Sequence, residues 1–596
     1  MCGIAGIINW NNAVDEQSLE KSAKTLQHRG PDATGIFVRK SVGFVHTRLS
    51  IVDLSGGDQP LHAADDSLHL IANGEIYNYV ELRKESQFPF ATHSDSECIL
   101  QTYVEAGREG IKNLNGMFAF ALYDERADTV ILARDRLGIK PLFYAETANG
   151  LVFASEIKAL LPLLAVSQDI NPLALQQFLQ NQFSTGRDTI FKGIKRVLPG
   201  EFLSVTAAGI SYHQYWDAKG ITTRNILMDE ALDEFEALFA QVMTEHMRAD
   251  VPFGLFLSGG IDSSVLLAEL SALHSQKINT YSIGYSGTTM EDELDQAAAL
   301  AETFGTQHQS IRVSRHDMFQ RIVHTIWSAD DLMRDPANLP TSLLSEVAAK
   351  DLKVVFSGEG GDEAFAGYRR FAPGLENEIK ALLLGGGGIR ASGNWSKFAK
   401  KQVFPVGFCN NAFREPLLKI WKTLPSSWSL MQKQQYLELN AALPDNLLVK
   451  ADRMMMGFGL EGRVPFTDHR VVEFGLSLPD VLKYQNKRGK WLIRKWAEKK
   501  LPKAHLQRPK KGFYVPISEW MSGDFLRHLG DRLQHNRAIK EWFNIEGVAN
   551  LLQAQKHGKN CTKEIWGLMQ FAIWHRIFVE SPGVIPSTQE NPVDWI

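Results

Sequence analysis

Twice in this chain an apolar, β-branched run breaks into a glycine-rich loop that carries acids and opens a helical stretch. Residues 251–257 lead into Ser258-Gly259-Gly260-Ile261-Asp262-Ser263-Ser264, and Val354-Val355-Phe356 leads into Ser357-Gly358-Glu359-Gly360-Gly361-Asp362-Glu363. Strand, turn and helix in that order make the unit of a parallel sheet, because parallel neighbours need a crossover and the crossover is usually a helix. The flanking pattern agrees. A helix from about Ser263, an apolar run at 280–285, a helix from about Asp292, a further helix and then 354–357 alternate along the chain. Together they predict a mostly parallel sheet covered on both faces, with both loops at the carboxyl edge, where such sheets bind ligands.

The loop chemistry narrows what that ligand is. Two glycines let the backbone turn tightly and approach a bound group, while helix-start amides and serine hydroxyls favour an anion. No lysine closes the first loop, so it is not the GxxxxGK[ST] cradle of phosphoryl transfer. An acid at Asp262 suits a Mg²⁺ that bridges carboxylate and pyrophosphate. The second loop sets Glu359, Asp362 and Glu363 close together, and a metal or a cationic intermediate would relieve their repulsion. Taken alone, each loop also reads as a plain turn.

The first part of the chain has a different texture. Short apolar or β-branched runs at 42–52, 68–72, 117–123, 129–133 and 151–154, bounded by Gly, Asp and Asn, predict a mixed, β-rich domain. The chain starts Met1-Cys2-Gly3. Loss of the methionine leaves a cysteine with a thiol and a free α-amine of pKa about 7.7–8.0, which takes the thiol proton without a separate histidine. Between 206 and 229 the pattern turns polar and irregular. Leu232, Phe235, Leu238, Phe239 and Val242 then recur at helical spacing behind an Asp229 cap. This places a boundary at 210–228, with domains over 2–210 and 228–580. From 371 to 580 the pattern is helical with no separate strand system, and the glycine run at 385–388 reads as a mobile loop.

Composition excludes some partners. With 64 basic and 68 acidic side chains, the chain lacks the basic bias of a protein that wraps nucleic acid or sits on anionic lipid. Four cysteines without a CxxC pair or zinc-type spacing fit a reducing, cytoplasmic setting. No uncharged apolar run approaches the length of a membrane span.

Further motifs come in a recognisable order: Arg29-Gly30-Pro31-Asp32, Arg48-Leu49-Ser50-Ile51-Val52-Asp53, Asn73-Gly74-Glu75-Ile76-Tyr77-Asn78, Ser94-Asp95 and Arg134-Asp135-Arg136-Leu137-Gly138-Ile139-Lys140-Pro141-Leu142. The two loops follow, then Lys450-Ala451-Asp452-Arg453, Arg463-Val464-Pro465-Phe466 and Arg508. Over nearly its whole length the chain resembles the glutamine-hydrolysing asparagine synthetases. The resemblance implies a class II glutamine amidotransferase domain, an α+β N-terminal-nucleophile hydrolase of αββα layers. Joined to it would be an α/β parallel-sheet domain of the ATP-pyrophosphatase type with a helical C-terminal portion.

By that likeness Cys2 attacks the glutamine amide, and the Asn73 side chain with the Gly74 N–H forms the oxyanion hole, donors that do not titrate near neutrality. Arg48 would pair with the glutamine α-carboxylate, Glu75 and Asp95 would take its α-ammonium, and Leu49 and Ile51 lie beside it. ATP is assigned to Leu257, Ser258, Gly259, Gly260, Asp262, Ser263, Ser264, Ile283, Ser357 and Gly358, with Mg²⁺ on Asp262 and Asp362. Glu359 and Lys490 would act in forming and consuming an acyl-adenylate, although a helical lysine is usually solvated.

The sequence departs from the family pattern at Gly361 and Gly462. The stretch Asp335-Pro336-Ala337-Asn338-Leu339-Pro340-Thr341 resembles a branch whose members amidate aspartate, peptidoglycan carboxylates or sugar uronates. Aspartate is the expected acceptor, with Arg334 as candidate cation for its α-carboxylate. The same chemistry on another carboxylate and a silent nucleotide- or glutamine-binding sensor are the alternatives. Glutamine, aspartate and ATP are the expected small-molecule partners, a homodimer the expected assembly, and an internal ammonia passage the expected link between sites.

Overall fold

The computed structural model describes residues 2–164, 169–289, 292–386, 393–408, 410–506 and 514–596. Arg508 and residues 387–388 of the glycine run lie outside them. In the first sheet the strand Gly3–Asn9 pairs antiparallel with Val42–Arg48 on one side and Gly150–Ala154 on the other. The second sheet has Gly116–Asp124 at its middle, flanked by Leu68–Ile76 and Thr129–Arg134.

Side-chain alternation stacks these sheets. Ile4 and Ile8 meet Ile71, Ala119 and Ala121 in one core, whereas Ala5 and Ile7 turn to the opposite face and join Leu19 and Leu26 of the helix Glu16–Leu26. Leu70 and Ala72 likewise turn outward to Cys98 and Ile99 of the helix Glu97–Ala106. Period-two alternation on paired strands thus yields four layers, αββα.

Differences from the expected elements have local causes. The run expected at 42–52 leaves the sheet after Arg48, because Leu49, Ile51 and Val52 pack instead against Val354 and Met456 of the second domain. The polar stretch after 206 holds an edge strand, Gly209–Gln214, whose residues are mostly exposed and so carry no apolar signal. The helix Met228–His246 starts ahead of Asp229, which lies in its first turn rather than capping it. There its charge favours the helix dipole.

The third sheet is fully parallel, in the order Gln307–Val313, Asn279–Tyr285, Phe253–Phe256, Val354–Phe356, Glu461–Arg463. Chain order reverses between Phe253–Phe256 and Val354–Phe356. That is the switch point, and both glycine loops open on it. The expectation of no separate strand system beyond 371 fails only at a two-residue ribbon, Tyr484–Gln485 paired with Arg488–Gly489, while Glu461–Arg463 completes this sheet. The strand Glu461–Arg463 is short, and its two charged side chains are fully buried against each other, Arg463 Nε lying 2.7 Å from Glu461 Oε1.

Charge is also buried where the two domains meet. Arg29 donates to Glu156 at 2.9 Å and to Asp452 at 2.8 Å, and Arg453 reaches Glu156 at 2.6 Å. Asp330 accepts the backbone N–H of Ile157 and of Lys158, the latter at 2.8 Å, and lies 3.6 Å from Arg453. Burial alone would raise the Glu156 carboxyl, but Lys158, His28 and Arg453 hold it well below the usual range. Removing one member of such a network strands its partners in low dielectric, at a cost of about 3–5 kcal/mol. Asp330→Ala is therefore expected to lower the thermal midpoint and open the 156–158 segment to protease. A midpoint and cleavage pattern unchanged from wild type would show that the network does not hold the domains together.

Candidate active sites

The register of the first sheet pairs Gly3 with Thr47 and so brings Cys2 beside Arg48. The opposite sheet supplies Asn73 from the strand Leu68–Ile76. The Cys2 nitrogen, a peptide N–H while Met1 is attached and an amine once it is removed, donates to Asn73 Oδ1 at 3.0 Å. Asn73 Nδ2 is buried with no hydrogen-bond partner among the described residues. A buried donor left unpaired costs on the order of 1–3 kcal/mol, which an incoming oxyanion would recover. Gly74 has φ +154, and a Cβ there would stand 2.0 Å from the Met117 carbonyl oxygen, so the two sheet strands approach as only glycine allows.

Burial pushes the Cys2 thiol up, with the Leu49 amide and Arg48 opposing and Glu75 reinforcing the shift. The resting sulfur is therefore protonated. Arg48 is buried; it donates to the exposed Asp58 carboxylate at 2.7 Å and to the Asp53 carbonyl. Glu75 lies 3.4 Å from Arg463, and burial together with Glu461 and Asp95 raises its pKa well above the ordinary value. Asp95 accepts the Ile76 N–H at 2.7 Å, yet burial still pushes it to about 6. Ile51 sits in the interdomain packing, and its carbonyl accepts the Asp250 N–H at 2.9 Å.

At the switch point lies a cavity of about 960 Å³. Leu257, Ser258, Gly260, Asp262, Ser263, Ile283, Ser357, Gly358, Glu359 and Asp362 line it, together with Asp335, Ala337 and Thr341. Two residues of the first loop stand behind the wall. The Gly259 N–H donates to Glu293 at 3.1 Å, and the fully buried Ser264 hydroxyl donates to the Gly260 carbonyl at 2.8 Å. Ser263 braces the loop, accepting the Ser258 N–H at 3.1 Å. The helix Ile261–Leu273 begins at Gly260 with no side-chain cap, leaving its first amides to the cavity edge.

Lysines answer the acids. Lys490 is 2% exposed, heads the helix Trp491–Ala497 in a left-handed conformation at φ +55, and bridges Asp262 and Asp362, the latter at 2.9 Å. It is therefore not solvated, as a helical lysine usually is. Burial works against its charge, but the two carboxylates prevail and raise its pKa. These carboxylates are hard oxygen donors of the kind Mg²⁺ prefers. Glycine at 361 keeps room beside them, since a Cβ there would lie 2.7 Å from Asp262 Oδ1. Glu359 pairs with Lys450 at 3.2 Å, and Lys450 is the one Lys or Arg among the described cavity-lining residues.

Two expectations are corrected. Of the three loop acids only Glu359 and Asp362 line the cavity: Glu363 is 1% exposed behind them and accepts the hydroxyl of Tyr368, a lining residue. Arg334 is neither a surface residue nor a pocket cation. It is buried and donates to the carbonyls of Phe178, Leu179 and Lys563, each at 3.1 Å. No local signal gives Lys450 a role, since it shares the helix Leu448–Met456 with two other charged residues, Asp452 and Arg453.

Burial, followed by repulsion from Asp362, pushes Glu363 up to about 8. Its folded value lies above the unfolded one, so the stability tied to its proton is full below the ordinary carboxylate range and is lost as pH rises through about 8. Glu363→Gln is expected to match wild type at low pH and to gain an increasing advantage in thermal midpoint up to that pH. A gap that stays constant with pH would mean that Glu363 titrates alike in the folded and unfolded protein.

Comparison with known proteins places this geometry. Residues 234–576 match the asparagine synthase family model, and residues 1–216 match the glutamine amidotransferase domain. The chain is 33% identical to glutamine-hydrolysing asparagine synthetase 1 of Bacillus subtilis, with the whole of both chains covered. It is 32% identical to a putative glutamine-hydrolysing asparagine synthetase of Mycobacterium tuberculosis over 99% of each.

Proposed function

We propose how this chain, which belongs to the family of glutamine-hydrolysing asparagine synthetases, divides glutamine-dependent asparagine synthesis between its two sites. The observation that carries the reading is that one chain holds both sets of reacting groups: Cys2 against Asn73 between the first two sheets, and Asp262, Asp362 and Lys490 at the switch point of the third.

In the first site the terminal amine takes the Cys2 proton, and the thiolate attacks the glutamine side-chain carbonyl. Asn73 Nδ2 and the Gly74 N–H hold the oxygen as charge develops on it. Ammonia leaves, and water then releases glutamate. Arg48 takes the α-carboxylate by exchanging its exposed partner Asp58 for the substrate. Glu75 and Asp95, two buried acids held above their ordinary values, take the α-ammonium, whose charge returns both to the ionised form. A terminal thiol that must stay reduced suits the cytoplasm.

A carboxylate resists ammonia because its charge and resonance make it a poor electrophile, and adenylation supplies AMP as leaving group. Asp262 and Asp362 would hold Mg²⁺, which supplies positive charge against the pyrophosphate. Lys490 steadies the same phosphates from behind the two acids. Glu359 takes up the proton, or answers the charge, that appears when ammonia adds. On the acceptor side Lys450, rather than Arg334, is the cation for the aspartate α-carboxylate, next to the 335–341 wall.

With glutamine, aspartate, ATP and Mg²⁺ the purified chain is expected to yield asparagine, glutamate, AMP and pyrophosphate; pyrophosphate release with a uronate or a diaminopimelate acceptor but not with aspartate would reassign the acceptor. Cys2→Ala is expected to lose glutamine-dependent synthesis and to keep synthesis from ammonium salt. Retained glutamine use would remove Cys2 from its role.

Glu359→Gln is expected to separate the half-reactions, sparing glutamine hydrolysis and lowering synthesis from either nitrogen source by about 10²–10⁴-fold. A folded Glu359→Gln protein that loses both activities alike would make Glu359 a structural acid.

A further inference from the structure

The hairpin at the edge of the second sheet gathers metal-binding side chains that neither active site uses. The strands Leu61–His62 and Leu68–Ile76 set His62 directly opposite His69. Between them the chain turns sharply: the Asp66 N–H donates to the Ala63 carbonyl at 2.9 Å, and Asp66 adopts a left-handed φ of 54°. The turn returns the Asp66 carboxylate to both imidazoles. His62 Nδ1 and His69 Nδ1 lie 2.7 Å apart, and Asp66 Oδ1 is 3.8 Å from each. A point in the plane of these three atoms lies about 2.0 Å from every one, the length of a zinc bond to imidazole nitrogen or carboxylate oxygen, and a tetrahedral ion would take them once the exposed His62 ring swings away from His69.

Neighbouring groups aim the donors. A carboxylate only accepts, so His69 Nε2, 3.3 Å from Glu125, carries the ring proton and leaves the lone pair on Nδ1. This is the carboxylate–imidazole arrangement that stands behind metal-bound histidines. Glu125 is itself held by Arg39 and, at 3.3 Å, by Lys40. Arg39 also takes Asp66 Oδ2 at 2.8 Å, which commits that oxygen and leaves Oδ1 on the imidazole side. The Phe37 ring packs on both imidazoles, with centroids 4.5 and 5.6 Å away, and fixes their planes. His69 is fully buried while His62 is 41% and Asp66 57% exposed, so a cation enters from solvent and keeps a position for water.

We propose that His62, Asp66 and His69 bind a divalent cation of the Zn²⁺ class, with water as fourth ligand, and that the ion fastens the short strand Leu61–His62 to the strand that carries Asn73 and Gly74. Two imidazoles and one carboxylate suit Zn²⁺, whereas Mg²⁺ demands near-octahedral oxygen ligands, so the Mg²⁺ of the synthetase reaction is no competitor here. Without the ion, His62 Nδ1–H donates to His69 Nδ1. Binding replaces that hydrogen bond with two nitrogen–metal bonds, the His62 proton moves to Nε2 through solvent, and no oxidation state changes.

The test titrates full-length Cys2→Ala protein, which lacks the competing terminal thiol, with Zn²⁺ and with Co²⁺ as spectroscopic probe, in Mg²⁺-containing buffer. One equivalent should bind, Co²⁺ should show a tetrahedral spectrum without a thiolate charge-transfer band, and Zn²⁺ should raise the thermal midpoint. Glu125→Gln should weaken binding by about 10–100-fold, and His62→Ala should abolish it while leaving ammonium-dependent synthesis unchanged. His62 is exposed, so its replacement keeps the fold. Absence of stoichiometric binding, or binding of the same strength in His62→Ala, would overturn the proposal.

Discussion

One buried guanidinium ties the nucleophile to the rest of the molecule. Arg29 is fully buried; its Nε donates to the carbonyl of Cys2 at 3.1 Å, and its terminal nitrogens reach Glu156 and Asp452. Burial disfavours its charge, yet the two carboxylates outweigh that and raise its pKa. Asp452 lies in the helix Leu448–Met456, two residues from Lys450, the partner of Glu359. The next residue, Arg453, returns to Glu156. A single nine-residue helix thus touches both reaction centres, and its position is fixed by charges too deeply buried for water to replace them.

The loops at the switch point were legible because their geometry demands particular residues. A turn at a strand end that lets backbone approach a ligand needs glycine, and a helix start that faces anions needs no side-chain cap; both requirements can be read from Ser258–Ser264 and from 357–363. Cys2 was legible for a similar reason, since loss of the methionine sets a free α-amine beside its thiol. The alternating strands of the first two sheets followed from burial on both faces.

Charge pairing was not legible, because it is decided by distant neighbours. Nothing local distinguishes Glu359, which faces the cavity, from Glu363, which is sealed against Tyr368. Arg334 beside its turn read as a surface residue or an acceptor-site cation, but tertiary contacts spend its donors on three backbone carbonyls. Lys490 was given its role by the resemblance alone, because its two carboxylate partners lie more than a hundred residues away in sequence. Strands failed to register for related reasons. Glu461–Arg463 is buried through an ion pair instead of apolar contact, and Gln307–Val313 is a mostly exposed edge without apolar alternation.

Both sites leave charge for a ligand to complete. At the cavity Asp262 and Asp362 share Lys490 and Glu359 pairs with Lys450. Asp335 on the same wall adds further negative charge, so an anionic nucleotide would need the divalent cation that Asp262 and Asp362 would hold. Around Cys2 the balance is left open. Glu75 and Asp95 sit buried with raised values, Arg463 only partly answers them, and Arg48 is paired with a carboxylate that solvent can reclaim. A ligand that carries an ammonium and a carboxylate on one carbon completes both pairs at once. A simple carboxylic acid or amine would complete only one, leaving the other buried group unsatisfied at a cost of roughly 1–3 kcal/mol. On the proposed assignment, selectivity for an α-amino acid at the first site follows from charges the fold leaves incomplete, and the acids of the second site likewise call for a cation before polyphosphate is tolerated.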